Sequence, residues 1–295
     1  MQLTLEKSEK IESVSPHLEI GAFEALWAKK EVSSFKQLRN KIVHGEFASG
    51  KVSKDEAETF YAKVQEIFKK KGIEHFGIRV SGTADYPKSL LQAEDPLVLL
   101  YFLGAWDLIY SKTISVVGTR NPSEEGKKRT ARLVRELVEN DFTIVSGLAA
   151  GVDTVAHETA IESGGKTIAV IGTPLSHSYP KENQKLQRTI SEKFLLISQV
   201  PVLRYEQDNY KFNRFYFPER NKTMSAISCG TIITEAGETS GTLIQAQAAI
   251  KQGRKLFILN SNFENPKLTW PKRLEEKGAI RVRETDDILR EFSTQ

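Results

Sequence analysis

The strongest constraint on this chain is a rhythm that begins at Thr113. Short runs rich in β-branched residues, Thr113–Gly118, Thr143–Ser146, Thr167–Ile171, Leu195–Val200, Thr231–Thr234 and Lys255–Leu259, alternate with stretches of helical periodicity. A strand that is apolar along its whole length is buried on both faces, and the helical stretches between such strands are what bury it. The pattern therefore predicts an α/β fold with a mostly parallel sheet and helices on both faces. Leu195–Val200 is the least secure of the six runs, because Pro201 follows it directly.

Upstream the chain changes character twice. Residues 1–75 are rich in Lys, Glu and Ala, and the spacing of Phe60, Val64, Ile67 and Phe68 suits an amphipathic helix. A small helical N-terminal domain is expected over 1–75. Residues 76–112 carry apolar runs broken at Asp85-Tyr86-Pro87 and Glu94-Asp95-Pro96, where proline removes a backbone donor and disfavours helix before it. They read as an extended lead-in packing on an α/β domain over 113–295. Arg39 and His44 have the Arg-x4-His spacing of some helical ribonuclease domains; a solvated arginine and a histidine near a helix end before Gly45 is the preferred reading.

Lys and Arg outnumber Asp and Glu only 42 to 38, so the position of the positive charge, not its total, must decide any polyanion binding. The single cysteine, Cys229, excludes an internal disulfide framework and a cysteine-rich zinc site, and is expected to be a small buried residue. The segment Met1–Lys7 lacks a long apolar stretch, and no uncharged apolar run approaches the ~20 residues of a membrane span. A cytoplasmic protein without membrane contact is expected.

In open parallel sheets ligands bind beyond the carboxyl ends of the strands, where helix N-termini offer N–H groups to anions. Four glycine turns fall at such ends: Gly118-Thr119-Arg120, Ser146-Gly147 with Gly151, Gly172-Thr173-Pro174, and Gly237 through Ser240-Gly241-Thr242. Each glycine can simply permit a tight turn; four together point to a ligand bearing phosphate. None reads G-x-G-x-x-G and no Gly-Lys-Ser/Thr loop occurs, which disfavours a usual dinucleotide site and a P-loop NTPase. No cofactor or metal is expected.

Two basic stretches stand out. Lys128, Arg132 and Arg135 share a helical face, for which a solvated surface is preferred over DNA contact. Between Arg204 and Lys222, Tyr205, Tyr210, Phe212, Phe215, Tyr216 and Phe217 interleave with Lys211, Arg214 and Arg220. Single strands are bound by this pairing of stacking rings with phosphate-neutralising cations. The stretch is expected to be a long loop, some of whose rings plug the edge of the core.

The ordered motifs Asp85-Tyr86-Pro87, Val117-Gly118-Thr119-Arg120, Ser146-Gly147-Leu148-Ala149 with Gly151-Val152-Asp153 and Ala156-His157, Phe217-Pro218-Glu219-Arg220-Asn221, and Glu235-Ala236 with Ser240-Gly241-Thr242-Leu243 resemble those of the DprA/Smf DNA-processing family over about Phe76 to Asp287. The resemblance implies an extended Rossmann-like fold that binds single-stranded DNA at the strand ends, forms a homodimer, and helps load a RecA-type recombinase during DNA uptake or recombination. It is not associated with covalent chemistry. Carried over by motif, Gly118, Thr119 and Arg120 would hold a phosphate. Ser146, Gly147 and Gly151 would shape the adjoining wall, Phe217 and Arg220-Asn221 would add an aromatic ring, charge and polarity, and Ser240, Gly241 and Thr242 would close the pocket. Arg214 and Lys211 are looser candidates.

The chain departs from the common family pattern at its ends. It stops soon after Arg290, where many members carry a winged-helix-like domain, and residues 1–75 lack a Gly-Ile-Gly hairpin pattern.

Asp153 and His157, four apart on one expected helix, are read as a cap and a satisfied polar contact rather than a catalytic pair. The enzymatic alternative is a phosphoribohydrolase of the lysine-decarboxylase-like superfamily, which uses a glutamate in Gly-Gly-x-Gly-Thr-x-x-Glu. Here Gly241-Thr242-Leu243-Ile244 is followed by Gln245, an amide that cannot act as an anionic base. A nucleotide-binding sensor using the same pocket is a further alternative.

Overall fold

The apolar runs that begin at Thr113 become strands because each feeds two cores at once. In the computed structural model, which describes residues 14–42, 46–91, 93 and 97–293, Ile114 and Val116 face one apolar cluster while Val117 faces the other; Ile144 and Val145, and Ile232 and Ile233, divide in the same way. Alternate side chains of a strand point to opposite faces. A sheet covered on both sides therefore shows no polar alternation in its sequence.

The strands are β1 (Gly77–Val80), β2 (Leu99–Gly104), β3 (Thr113–Val117), β4 (Thr143–Ser146), β5 (Thr167–Ile171), β6 (Leu195–Ser198), β7 (Gly230–Ile233), β8 (Lys255–Leu259) and β9 (Ile280–Val282). They form one nine-stranded sheet in the order β1-β2-β6-β5-β4-β3-β7-β8-β9. All pairings from β6 to β9 along that order are parallel; β1 with β2 and β2 with β6 are antiparallel. The chain winds outward from β3 to β6 and returns to the other side of β3 as β7. That reversal of direction places a crevice at the carboxyl end of β3.

The lead-in is thus more than an extended segment: its two runs become β1 and β2 and extend the sheet edge. Tyr101 and Phe102 pair with the chain on both sides, and within β2 Leu99, Leu100 and Tyr101 are buried.

Helices α1 (Pro16–Ala28), α2 (Phe35–Lys41) and α3 (Lys54–Lys70) precede the sheet. At the α1–α3 crossing a Cβ on Gly21 would lie 1.8 Å from the Ala57 carbonyl oxygen, so only glycine allows the two backbones this approach. Phe23 and Trp27 of α1 join the core of the sheet through edge-on contacts with Tyr101 and Tyr216. Short α4 (Lys88–Leu91) lies between β1 and β2. The crossovers after β3, β4 and β5 are α5 (Glu124–Glu139), α6 (Val152–Glu162) and α7 (Gln184–Lys193). Ser123 caps α5, its side chain accepting the Gly126 N–H at 2.9 Å.

The stretch Arg204–Lys222, read from sequence as a loop, falls mostly in helices: α8 (Val202–Gln207), α9 (Tyr210–Asn213) and α10 (Tyr216–Ala226). Its helical character is hidden because α10 buries Arg220, Thr223 and Ser225 beside Tyr216 and Met224, so no apolar stripe marks its inner face. The N-terminus of α8 is satisfied from far away. The Glu24 carboxylate of α1 accepts the Val202 and Leu203 N–H groups at 2.8 and 2.9 Å and the Tyr101 hydroxyl at 2.7 Å. Burial pushes the Glu24 carboxyl up to about 7, the three hydrogen bonds opposing that shift.

The chain finishes with α11 (Thr242–Lys251), α12 (Asn260–Glu264), α13 (Trp270–Glu275) and α14 (Asp286–Leu289) around β8 and β9. Cys229 is partly buried against the Thr113 carbonyl, and burial raises its thiol to about 11. His44 lies outside the described residues. Arg39 donates to the Ser81 hydroxyl at 3.3 Å. Lys128 and Arg132 pair with Glu125 and Glu136 on their own helix. Among the described residues no helix is long and apolar enough to cross a membrane.

Candidate nucleic-acid interface

The turns after β3, β4 and β7 meet because glycine lets them. A Cβ on Gly118 would sit 2.6 Å from Val152 Cγ2 and 2.7 Å from the Glu235 carbonyl oxygen. Gly151, at φ +81°, would place one 2.5 Å from the carbonyl oxygens of both Thr119 and Arg120. The Thr119 N–H donates to Glu235 O at 2.7 Å, and Thr119 O accepts the Val152 N–H at 3.1 Å. The first service of these two glycines is to seat one turn on another. Gly237 and Gly241 differ, since an added Cβ would meet nothing within 4 Å at either.

Together the turns enclose a cavity of about 540 Å³ at the carboxyl edge of the sheet. Of the residues singled out from sequence, Gly118, Thr119, Arg120, Arg214, Phe217, Arg220, Asn221, Ser240, Gly241 and Thr242 line it. Four do not. Ser146 is buried and donates to Val116 O at 2.7 Å; Gly147 lies beneath Arg220; Gly151 lies beneath the Arg120 backbone; Lys211 is exposed on α9, outside the lining.

The helix N-termini around the cavity are not equivalent. That of α5 is already occupied by an anion of this chain: Glu235 accepts the Ser123 N–H at 2.9 Å and its hydroxyl at 2.7 Å, and pairs with Arg129 at 3.3 Å. The carboxylate takes the place where a dinucleotide fold would bind pyrophosphate. At α11, Ser240 and Thr242 bond to one another at 3.0 Å, Thr242 Oγ1 donates to Gly118 O at 3.0 Å, and Asn221 Nδ2 donates to Gly241 O at 3.3 Å. These bonds brace the turn, and the Thr242, Leu243 and Ile244 N–H groups are taken up by Ser240 and Gly241 within it, while Gly241 itself stays exposed.

The two lining arginines of the ordered motifs have opposite settings. Arg220 is 4% exposed; its Nη1 donates to the carbonyls of Gly147 and Val170, the latter at 2.7 Å, and its Nε to Asn221 Oδ1 at 3.0 Å. Burial draws its guanidinium down to about 10, with Asp153 opposing and Arg120 adding to the shift, so it stays charged at neutral pH. Arg120 is exposed and forms no ion pair among the described residues. Its guanidinium lies 5.9 Å from the centre of the Phe217 ring, a cation–π distance.

Phe217 rests on Gly172, where an added Cβ would fall 2.6 Å from its ring, and leans on Tyr179 with ring centres 5.4 Å apart. Tyr179, 37% exposed and part of the lining, was not singled out from sequence. The signal available was an aromatic residue in the polar turn Ser176-His177-Ser178-Tyr179 after the third glycine turn.

Asp153 accepts the Ala149 N–H at 3.2 Å and lines the cavity. Burial raises its carboxyl, while Arg220 pulls it back. His157 Nδ1 stands 2.6 Å from Thr167 Oγ1, which donates its own proton to Ile144 O, so the ring donates here. Burial holds His157 down at about 3 and therefore neutral. His157 makes a polar contact through Nδ1, whereas Asp153 sits in the first turn of α6 behind its Gly151 N-cap and holds the preceding turn at Ala149 instead of capping the helix. Gln245 is fully buried at the cavity floor, its Nε2 3.4 Å from Thr231 Oγ1.

Known proteins share this fold. A family model described as DNA recombination-mediator protein A matches residues 78–293. DNA processing protein DprA of Bacillus subtilis is 33% identical over 243 residues, 81% of this chain and 79% of that protein; DprA of Streptococcus pneumoniae is 38% identical over 207 residues, 70% of this chain and 71% of the other. The X-ray structure of DprA from S. pneumoniae superposes with a TM-score of 0.68 at 29% identity, covering 95% of this chain and 94% of that one. A structure of DNA processing protein A from Helicobacter pylori, solved to describe its single-stranded DNA binding mode, gives 0.62 at 28% identity over 74% and 95% of the two chains. With the family motifs gathered on one cavity of a Rossmann-like sheet, this chain belongs to the DprA/Smf family of DNA recombination-mediator proteins.

Proposed function

We propose that this chain binds single-stranded DNA at the cavity, largely without regard to sequence and without covalent chemistry. The observation that carries the reading is the cluster of Arg120, Phe217 and Tyr179 beside the exposed Gly241 turn. A cation without a carboxylate partner and two rings in contact offer phosphate neutralisation and base stacking within one site. The single-stranded DNA binding described for the H. pylori relative supports the same reading.

In this reading Gly118, Thr119, Arg120, Arg214, Phe217, Asn221, Ser240, Gly241 and Thr242 face the strand. Ser146, Gly147, Gly151 and buried Arg220 hold the wall behind it, and Lys211 acts from outside the cavity. The cellular role is that of a cytoplasmic homodimer that processes incoming or recombining DNA and delivers single strands to a RecA-type recombinase. Gln245, at the place of the hydrolase glutamate, supports a binding protein over a phosphoribohydrolase.

The test is a titration of labelled single-stranded and duplex DNA across a salt series, with nucleoside-monophosphate hydrolysis assayed on the same preparation. Preferred binding of the single strand, with log affinity falling linearly in log salt through counterion release, is expected. Equal or tighter duplex binding, or robust release of base, would overturn the proposal.

A further inference from the structure

A cavity of about 540 Å³ is in the size range that takes one small ligand, so a strand of more than a few nucleotides has to leave it across the surface. Two exits adjoin the site. One passes Thr119 and Gly237 into a neighbouring cleft lined by Glu235, whose carboxylate is held by Arg129. Beyond Arg129 and Ser261 that cleft continues to Glu136, Glu264 and Glu284, interspersed with Arg132 and Arg283, a surface of mixed charge with no aromatic ring in its lining. The other passes Arg214 to α9.

The second exit offers what the first lacks, an exposed aromatic ring. Phe212 is 63% exposed and has no ring partner among the described residues, whereas Phe215 stacks on Phe35 of α2 with ring centres 6.4 Å apart and planes 18° from parallel. Exposed Lys211 stands beside Phe212; of the acidic residues before α9, Asp208 is paired with Arg204 at 2.7 Å and Glu206 lies 3.6 Å from His177. Tyr179 and Ile244, both lining the cavity, and Phe212 and Phe215 are four of the six large apolar side chains left exposed among the described residues. Single apolar residues scattered over a surface need no explanation, but a concentration around a site does.

We infer that α9 is a second contact for single-stranded DNA: the strand leaves the cavity past Arg214, stacks a base on Phe212 and meets Lys211 with a phosphate. This rests on the single-strand reading of the cavity and adds a direction and a footprint to it. Because Phe212 is solvated, Phe212→Ala should fold with an unchanged melting temperature.

The test compares thymidine tracts of about 4 and about 16 nucleotides, near the limits of single-module footprints, on the wild type, Phe212→Ala, Lys211→Ala and Arg120→Ala. Phe212→Ala should bind the long tract about tenfold more weakly and the short tract as the wild type does, and Lys211→Ala should reduce the salt slope for the long tract by about one unit. Wild-type affinity of Phe212→Ala for the long tract, or equal losses on both tracts, overturns the α9 contact. If Arg120→Ala weakens binding while Phe212→Ala does not, the cavity reading survives without the exit. If neither changes the affinity for either tract, the cavity reading fails as well.

Discussion

Arg120 and Arg220 border the same cavity, and sequence alone gives them the same role, yet their surroundings separate them. Arg220 is enclosed and held by the Gly147 and Val170 carbonyls and Asn221, with Asp153 nearby opposing the effect of burial on its charge. Arg120 is exposed and leans on Phe217. A guanidinium whose Nη1 and Nε are committed to neighbouring carbonyls and an amide fixes the turns that bear the site. One with its donors uncommitted is available to a ligand. The contrast teaches that a basic residue in a binding motif can serve the wall or the ligand, and that burial distinguishes the two.

The largest expected effect is from Arg220→Ala, which strands buried carbonyls and leaves Asp153 without its neighbouring cation. Removing one partner of a buried charge network costs about 3–5 kcal/mol, so the denaturant midpoint should fall steeply. Arg220→Lys should rescue little, because an ammonium cannot reproduce the planar fork. A variant as stable as the wild type would break the contrast.

Arg120→Ala should do the opposite. Stability should stay within about 0.5 kcal/mol of wild type, while single-strand affinity drops by about 1–3 kcal/mol through loss of a charge-assisted phosphate contact. Unfolding curves and binding isotherms on one preparation separate the two quantities; intact affinity would move the phosphate contact elsewhere.

A third effect concerns another buried group, Glu24, and appears only in the pH dependence of stability. Its carboxyl rises from 4.5 to about 7 on folding, so the folded state holds the proton more tightly than the unfolded one. Its contribution favours folding most below about 4.5 and is lost as pH rises through about 7. Glu24→Gln should flatten that decline across the window, measured by urea unfolding at a series of pH values. An identical pH slope in the variant would show that Glu24 does not titrate there.

Much of this was legible in sequence. The strands after Thr113 were visible because a sheet buried on both faces writes itself as unbroken apolar runs, even at Leu195, where β6 ends at Ser198 ahead of Pro201. The edge strands β1 and three-residue β9 were not, since they carry too few residues for a period, and six-residue β2 was read only as part of an extended lead-in. The helices between Val202 and Ala226 were hidden for a different reason. Their caps and inward contacts come from Glu24, Gly147 and Val170, far away along the chain, and α10 turns polar side chains into the core.

The sequence by itself determined the α/β class, the glycine turns at the strand ends and the ordered motifs of the family, because each depends on neighbours within a few residues. Only the tertiary structure decided that Gly118 and Gly151 seat turns on one another, that Glu235 occupies the α5 N-terminus, and that Arg220 is enclosed while Arg120 is open. Those outcomes depend on which turns meet across the sheet edge. Exposure, and with it the availability of a charge to a ligand, is fixed there and not by local spacing.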